Sequence, residues 1–385
     1  MAPTAPTASP RRLDVYRTAL PMRRFEHAAA SRDVAEAVVV RLELADGAVG
    51  WGETLPREYV TGETIDSVVE DLAATVWPAF VANHAGLAGE AARVDATVPS
   101  RDAAGRCLNA AACALDVAAA PLVSEPFRGE QAGAPIGCRV SGVLGSSDPA
   151  RTAGQLRRMR WFGLRDFKLK LGFGEDVDAE NVGILRRRLG RALAAGKATL
   201  RVDVNGGWDA DSTPERVAAL RAAGVCAVEQ PVYAPAGELV ELARRCELPL
   251  IADESLLDDE DARRLLDEPR RVWWNIRISK NGGLTQALGL AGQAHEAGAA
   301  FIVGCMVGES SVLSAAQRRL LQVCPRPRFV EGNYGRFLLA GDLTRRSLRF
   351  GYGGRLRAIR RPGLGAEVDE ARLARHGRLV RTLRA

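Results

Sequence analysis

The chain has 385 residues and a formal net charge of +6, and its basic residues are interspersed with acidic ones. This balance indicates an ordinary solvated surface rather than a nucleic-acid footprint. No apolar stretch approaches the roughly 18 residues of a membrane span, and the N-terminus lacks the apolar core of a signal peptide. The 7 cysteines form no CxxC pair, as is typical of reduced thiols. We therefore expect a cytoplasmic protein without nucleic-acid or membrane partners.

The N-terminal part of the chain, residues 13–133, has the pattern of a small α+β domain. Residues 12–54 alternate like strands, and Asp46-Gly47 is a typical hairpin turn. From Thr64 to about Ala120 the spacing becomes helical and ends in an alanine-rich run. A sheet followed by helices predicts a separate α+β unit. Residues 1–12 are expected to form a disordered tail.

Residues 134–340 have a different pattern, in which short apolar runs alternate with amphipathic segments. The candidate strands are CRVSGVL, DFKLKL, TLRVDV, CAVEQ, LIADE, VWWNIRI, FIVGCM and RFVEG. Several intervening segments end at glycine, as helices commonly do. Eight strands that alternate with helices predict a parallel (β/α)8 barrel.

The C-terminal segment, residues 341–385, is expected to pack on the N-terminal domain. Its stretch Arg349–Arg361 (RFGYGGRLRAIRR) is basic and glycine-rich like some RNA-binding segments. It contains only two aromatic residues and no repeat, so we interpret it as a surface loop.

Charged side chains follow successive strands of the predicted barrel. They are Lys168, Lys170, Asp203, Glu229, Asp253 and Arg277. The carboxyl ends of barrel strands form the catalytic face, and strand alternation places Lys168 and Lys170 on one side. Carboxylates that converge there need a cation, and oxygen ligands favour magnesium or manganese over zinc or copper. The pattern therefore predicts a divalent-metal site with amine bases beside it.

Each motif alone also has an ordinary structural explanation. A lone Lys-x-Lys is usually a solvated strand edge, and a single carboxylate after a strand often caps the next helix. Such motifs recur at the end of one predicted barrel strand after another. This recurrence favours a functional site over the structural explanations.

Together the motifs resemble the enolase superfamily, most closely its muconate-lactonizing subgroup. The segments that carry the resemblance are KLK, DVN, EQP, DES and NIRISKNGG, with GWGE and GCMVGES. The resemblance spans about Leu13 to about Leu343. It implies a modified (β/α)8 TIM barrel, an N-terminal α+β capping domain that the C-terminal segment completes, and a homo-oligomer. It also implies Mg²⁺ held by Asp203, Glu229 and Asp253.

The resemblance further implies abstraction of a proton α to a carboxylate, with the metal stabilising the enolate. Lys170 is then the base, because Lys168 and the metal lower its pKa, and Lys168 remains a cationic partner. Side chains expected to support these residues are Asn205, Glu254 and Glu309.

The sixth predicted strand departs from the subgroup pattern. Aligning NIRISKNGG on the family motif puts Arg277 where a second lysine is usual, with Lys280 as the alternative. By strand parity Lys280 is expected to point off the site. Arginine stays protonated, so it is a poor proton acceptor and a good carboxylate partner. Racemisation by two bases is therefore disfavoured.

Predicted substrate contacts lie in the capping loops and after the eighth strand. Arg23, Arg24 and His27 are candidates to meet an anionic group, and Tyr59 to close over a ring. Glu331 and Asn333 stand about where dipeptide epimerases of the subgroup hold a substrate ammonium with Asp-x-Asp. We expect a small-molecule carboxylate as the substrate.

These inferences predict a muconate-cycloisomerase-like isomerase or lyase that uses one lysine base. The alternatives within the fold are an amino-acid or dipeptide racemase or epimerase and an o-succinylbenzoate-synthase-like dehydratase. From another class, the alternative is a barrel that binds a ligand without catalysis.

Overall fold

The computed structural model describes residues 9–27, 30–87, 93–128 and 133–385, except for the side chains of residues 24–32, 85 and 86. Its strands are β1 (Pro10–His27), β2 (Ala30–Leu44), β3 (Val49–Thr54), β4 (Gly142–Leu144), β5 (Asp166–Lys170), β6 (Thr199–Asp203), β7 (Ala227–Glu229), β8 (Leu250–Ala252), β9 (Val272–Ile276), β10 (Phe301–Val303), β11 (Phe329–Val330) and β12 (Gly377–Arg384).

The α-helices are α1 (Glu58–Thr61), α2 (Ile65–Asp71), α3 (Trp77–Asn83), α4 (Asn109–Val123), α5 (Glu125–Arg128), α6 (Pro149–Trp161), α7 (Glu175–Ala194), α8 (Thr213–Ala222), α9 (Ala236–Arg245), α10 (Asp259–Leu265), α11 (Leu284–Glu296), α12 (Ser311–Val323) and α13 (Glu370–His376). A π-helical stretch, Leu72–Val76, joins α2 to α3.

The capping domain contains a four-stranded antiparallel sheet in the order β12-β1-β2-β3. The predicted hairpin between β2 and β3 is confirmed, and Gly47 at its turn has a φ of 85°. The C-terminal strand β12 pairs antiparallel with β1, so the end of the chain completes this sheet as predicted. Because β1 begins at Pro10, residues 10–12 belong to a strand rather than to the expected tail.

The GWGE segment brings β3 unusually close to α4. A Cβ atom on Gly50 would lie 2.0 Å from the Ala118 carbonyl oxygen, and one on Gly52 would lie 1.9 Å from that of Ala114. Only glycine leaves room for this approach. The alanines of α4 have small side chains, which also lets the strand and the helix come close. The two motifs therefore form a single packing unit in the core of the capping domain.

The second sheet is an eight-stranded parallel barrel whose strands follow one another in chain order from β4 to β11. A parallel bridge between Val140 and Val330 closes it. The predicted barrel is confirmed, with one difference. Between β11 and α13, in the described stretch 331–369, the chain forms turns and two short 3-10 helices instead of an eighth α-helix. Helix α13 packs on β1 and β12 of the capping domain.

Two carboxylates of the capping domain bind the N-termini of barrel helices. Glu53 on β3 accepts hydrogen bonds from the Ser310 hydroxyl (2.7 Å) and the Leu313 amide (3.0 Å) at the start of α12. Asp116 on α4 accepts from the Leu284 amide at the start of α11. Burial raises the pKa of both carboxyls to about 7. Since helix N-termini present unpaired amides, these contacts fix the capping domain over the barrel.

Among the described residues, none of the helices combines the length and the apolar character that crossing a bilayer requires.

Candidate active site

Three carboxylates stand at the carboxyl ends of adjacent barrel strands. Asp203 ends β6, Glu229 ends β7, and Asp253 follows β8. All three side chains are fully buried. Asp203 and Glu229 are register partners in the parallel ladder, so their side chains point to the same side of the sheet. The structure therefore brings together the three residues that the sequence predicts as metal ligands.

Lys168 on β5 lies in the centre of a buried group of carboxylates. Its Nζ atom is 2.6 Å from Glu331 Oε2, 3.1 Å from Glu229 Oε1 and 3.4 Å from Asp203 Oδ2. Burial lowers the pKa of Lys168, but the charges of these three carboxylates outweigh it and hold the pKa above its usual value. Lys168 is therefore a fixed cation in this arrangement.

Lys170, two residues further along β5, lies at the mouth of the barrel, where the carboxyl ends of its strands meet. Its Nζ atom donates hydrogen bonds to Asp203 Oδ2 at 3.0 Å and to Asn205 Oδ1 at 2.9 Å. Asn205 adopts a φ of 48°, a left-handed conformation that asparagine tolerates better than most residues. The Lys170 side chain is 12% exposed and that of Lys168 is 3% exposed, so Lys170 is the more accessible of the two amines.

Arg277 and Lys280 occupy different environments at the end of β9. The Arg277 guanidinium contacts Asp253, and its Nη2 atom is 3.5 Å from Glu229 Oε1. Lys280 is fully buried and donates to the carbonyl oxygens of Asp253 (2.5 Å) and Asn275 (2.9 Å). Of these two side chains, Arg277 lines the central cavity. Because β9 is four strands away from β5 in the barrel, the guanidinium faces the lysines across the mouth.

The donor atoms at the mouth fit a hard divalent cation. In the described part of the chain no three His, Cys, Asp or Glu side chains are assembled as a metal cluster, and the carboxylates pair with lysine and arginine. However, both carboxylate oxygens of Glu254 are buried without hydrogen-bond partners, and Asp253 Oδ1 has only the Lys280 Nζ atom near it, at 3.2 Å. Burial, reinforced by the charge of Asp203, raises the pKa of Glu254 to about 7. Surplus buried oxygen ligands of this type suit Mg²⁺.

A cavity of about 640 Å³ opens above these residues. Six of the predicted site residues line it: Lys168, Lys170, Asn205, Arg277, Tyr59 and Glu331. Arg23 of the capping domain also lines it, whereas the side chains of Arg24 and His27 lie outside the described residues. The volume is within the usual range of roughly 300–1,000 Å³ for small-molecule sites. The predicted bases and a capping loop thus share one cavity.

Glu309 and Asn333 have structural contacts beside the cavity. Glu309 accepts a hydrogen bond from the Met306 amide at 2.7 Å, and burial raises its pKa to about 8. Asn333 donates to Gln317 Oε1 and accepts from Arg318 Nε, both at 2.6 Å. Its side chain is therefore directed at α12 and does not line the cavity, in contrast to the predicted substrate contact.

Three polar residues of the site were not identified from the sequence. Arg201 on β6 donates to Glu331 Oε1 at 2.6 Å. Asn275 on β9 donates to Glu229 Oε1 at 2.8 Å, and Gln230 accepts from the Asp253 amide at 2.8 Å. Strand parity was an available signal for Arg201, because it precedes Asp203 by two residues and faces the same side. The same signal was available for Asn275, which precedes Arg277 by two residues, and Gln230 directly follows Glu229 in the EQP segment.

Comparison with known proteins places this geometry in a family. Residues 151–372 match the family described as enolase C-terminal domain-like. The chain is 32% identical to the L-Lys-D/L-Arg epimerase of Methylococcus capsulatus over 85% of this chain and 90% of that protein. It is 29% identical to the N-succinyl-L-Arg/Lys racemase of Bacillus cereus over 79% of this chain and 81% of that protein.

Solved structures agree with this assignment. The crystal structure of the Bacillus cereus racemase superposes with a TM-score of 0.81 at 25% identity, covering 98% of this chain and all (100%) of that one. The muconate lactonizing enzyme of Pseudomonas fluorescens, complexed with muconolactone, superposes with a TM-score of 0.80 at 26% identity, covering 97% and 100% of the two chains. The chain therefore belongs to the enolase superfamily, with relatives among the racemases, epimerases and muconate cycloisomerases of the muconate-lactonizing subgroup.

Proposed function

We propose that this protein removes the proton α to the carboxylate of an amino-acid derivative, with Lys170 as the base. One observation carries the proposal: the Lys170 amine lines the cavity while hydrogen bonds to Asp203 and Asn205 fix its position. A general base must lie within hydrogen-bond reach of the proton that it takes, and an amine held at the mouth of the cavity meets this need. Lys170 would accept the proton on Nζ after losing its own.

The other side chains of the site have supporting roles in the proposal. Lys168, paired with Glu331, keeps a positive charge beneath the reacting carbon. Arg277 lines the cavity, so its guanidinium can bind the substrate carboxylate. Held in this way, the α-carbon would lie between Lys170 and Arg277.

Asp203, Glu229 and Asp253 would hold a Mg²⁺ ion, as their donor atoms fit. The ion would supply positive charge for the carboxylate oxygens as the α-proton leaves. A relative, the dipeptide epimerase of Methylococcus capsulatus, has been crystallised with Mg and the dipeptide L-Arg-D-Lys.

The first candidate for the overall reaction is racemisation or epimerisation of an amino-acid derivative. The sequence relatives support it over the cycloisomerase that the sequence favoured, because the racemase and the epimerase described above match over more of this chain than muconate cycloisomerase 1 does. The Methylococcus epimerase match covers 85% of this chain, and the Pseudomonas putida muconate cycloisomerase 1 match covers 62%. This candidate needs proton return on the face opposite Lys170.

The second candidate is a one-base reaction, a cycloisomerisation or β-elimination. Arg277 favours it, because a guanidinium stays protonated in proteins and neither accepts nor delivers protons readily at neutral pH. In this reaction the enolate expels or captures a group instead of receiving a proton from the other face.

Proton exchange in deuterium oxide tests the proposal and separates the two candidates. The protein with Mg²⁺ is incubated with N-acyl-L-amino acids and L,L-dipeptides, and the α-proton signal and the stereochemistry are followed by NMR and chiral chromatography. Exchange with inversion supports the racemase, and exchange with retention or elimination supports the one-base reaction. No exchange with any of these carboxylates contradicts the proposal and favours a ligand-binding barrel.

A further inference from the structure

The cavity above the barrel mouth extends well beyond the groups that the proposed proton transfer needs. Its volume is about 640 Å³. Beyond the lysines, the lining continues along α6 to residues at the amino-terminal end of β5, including Leu164. We call this part of the cavity the distal arm.

One wall of the distal arm is a face of α6 and the residues after it. Gln155, Arg158, Met159 and Phe162 line the cavity at helical spacings of three, four and seven residues. The other wall comes from the segment that follows β11 and comprises Tyr334, Phe337, Leu338 and Phe350.

The aromatic side chains of the distal arm contact one another. The Phe162 ring lies edge-on to that of Phe337, with centroids 5.5 Å apart, and is 5.9 Å from that of Phe350. The Phe337 and Phe350 centroids are 5.0 Å apart. Phe350 belongs to the basic, glycine-rich stretch that the sequence marked as a surface loop. The arm is therefore an apolar, aromatic-lined compartment continuous with the catalytic residues.

The missing eighth barrel helix explains why this space exists. A helix after β11 would pack beside α6, but the chain runs through segment 331–369 without one, and α13 packs on the capping domain instead. Aromatic side chains from loops fill the position only partly. Phe337 keeps 39% of its surface exposed, although burial of a phenylalanine is favourable by roughly 2 kcal/mol.

We propose that the substrate carries an apolar acyl or aryl group distal to its carboxylate, and that this group binds in the distal arm. The inference rests on the proposed function for the position of the carboxylate end. Aromatic and aliphatic walls bind apolar groups well and bind unpaired polar groups poorly. Gln155 uses its side-chain oxygen to accept from the Gly145 amide, and Arg158 lies exposed at the rim. An extended apolar tail is the ligand chemistry that this lining fits.

Binding of probes that cannot react tests the inference separately from catalysis. N-acyl derivatives of 2-aminoisobutyrate have a carboxylate but no α-proton, so calorimetry with the Mg²⁺-loaded protein reports affinity alone. Each buried methylene is worth about four-fold in affinity. The N-hexanoyl probe is expected to bind at least 30-fold more tightly than the N-acetyl probe.

Two variants locate the effect in the distal arm. Phe337→Ala is expected to weaken N-hexanoyl binding at least five-fold and to leave N-acetyl binding unchanged within two-fold. Met159→Gln, a change of similar size, is expected to act in the same way. Tyr352→Ala is the matched control, because Tyr352 packs on Phe162 from outside, 66% exposed, without lining the cavity.

Equal affinity for the N-acetyl and N-hexanoyl probes would overturn the inference, as would equal losses in Phe337→Ala and Tyr352→Ala. Tighter binding of an N-succinyl probe than of the N-hexanoyl probe, with the gain lost in Arg158→Gln, would also overturn the inference. It would mean that the distal arm binds an anionic tail instead of an apolar one. If chain-length dependence holds but no carboxylate exchanges its α-proton, the proposed function fails and the distal arm stands. If N-acetyl and N-hexanoyl substrates exchange equally well and the probes bind equally, the arm fails and the function stands.

Discussion

Lys168 Nζ and Glu331 Oε2 lie 2.6 Å apart, so a buried ion pair joins the second and eighth strands of the barrel. Glu331 also accepts a hydrogen bond from Arg201, whose side chain is fully buried. One carboxylate thus balances two buried cations. Removing its charge leaves both cations with less compensation than before, a situation that is costly in a low-dielectric interior.

Glu331→Gln is therefore expected to lower the free energy of unfolding by about 3 kcal/mol, within the range for breaking a buried ion pair. The change keeps the size of the side chain and removes only its charge. Chemical denaturation measures the effect. Glu367→Gln is the control, because Glu367 pairs with the exposed Arg361 and is expected to change stability by less than about 1 kcal/mol. Equal stabilities of Glu331→Gln and the wild type would show that the pair is not needed for stability.

Asp203→Asn is expected to weaken Mg²⁺ binding strongly, because it removes the charge of one of the three predicted ligands. Isothermal titration calorimetry of Mg²⁺ into the protein measures the affinity directly. Asp176→Asn, at an exposed carboxylate in the first turn of α7, serves as the control and is expected to leave the affinity unchanged. Unchanged binding in Asp203→Asn would remove Asp203 from the metal site.

Under the one-base candidate, Arg277→Lys is expected to create or raise racemisation, since it places a titratable amine on the side of the mouth opposite Lys170. The measurement is the rate of inversion of an N-acyl amino acid relative to its rate of α-proton exchange. A rise in this ratio supports the view that Arg277 blocks proton transfer on its face. A wild-type protein that already inverts its substrate at the rate of exchange contradicts that view.

The pH dependence of stability is expected to report Glu53. Burial raises the pKa of Glu53 from 4.5 to about 7 in the folded protein. Between these two values the unfolded chain has lost the proton that the folded protein keeps, so the free energy of unfolding falls as pH rises. The contribution is fully present below about pH 4.5 and lost above about pH 7, a difference of about 3 kcal/mol.

Denaturation of the wild type and Glu53→Gln at pH 5, 6, 7 and 8 isolates this contribution. The wild type is expected to lose more stability than the variant across the series, because the variant has no carboxyl to titrate at this position. Parallel curves would mean that Glu53 is ionised throughout, bound as a carboxylate by the amides of α12.

The sequence was sufficient to predict the barrel and the charged side chains that meet at its mouth. Asp203, Glu229 and Asp253 each follow a short apolar run, and in a parallel barrel the ends of such runs meet at one face. Strand alternation also predicted that Lys280 points away from the site. In the structure Arg277 lines the cavity and Lys280 is fully buried. These features follow from local residue patterns, and a single sequence is enough to show such patterns.

Contacts between distant parts of the chain were not predictable in the same way. The pair Lys168–Glu331 exists because β11 closes the barrel against β4, and Glu53 meets α12 because the capping domain docks there. The distal arm exists because segment 331–369, which follows β11, forms no α-helix beside α6. The contacts of Asn333 were not predictable for a related reason, since its hydrogen bonds go to Gln317 and Arg318 on α12, which the local strand pattern does not reveal.

The most direct test of the central claim is α-proton exchange in deuterium oxide by Lys170→Met, measured against Lys197→Met. Lys197 is an exposed lysine remote from the cavity lining, so its variant controls for the loss of a surface amine. Exchange that persists in Lys197→Met and falls at least a thousand-fold in Lys170→Met, with Mg²⁺ still bound by calorimetry, is the predicted result. Exchange that survives unchanged in Lys170→Met would contradict the assignment of Lys170 as the base.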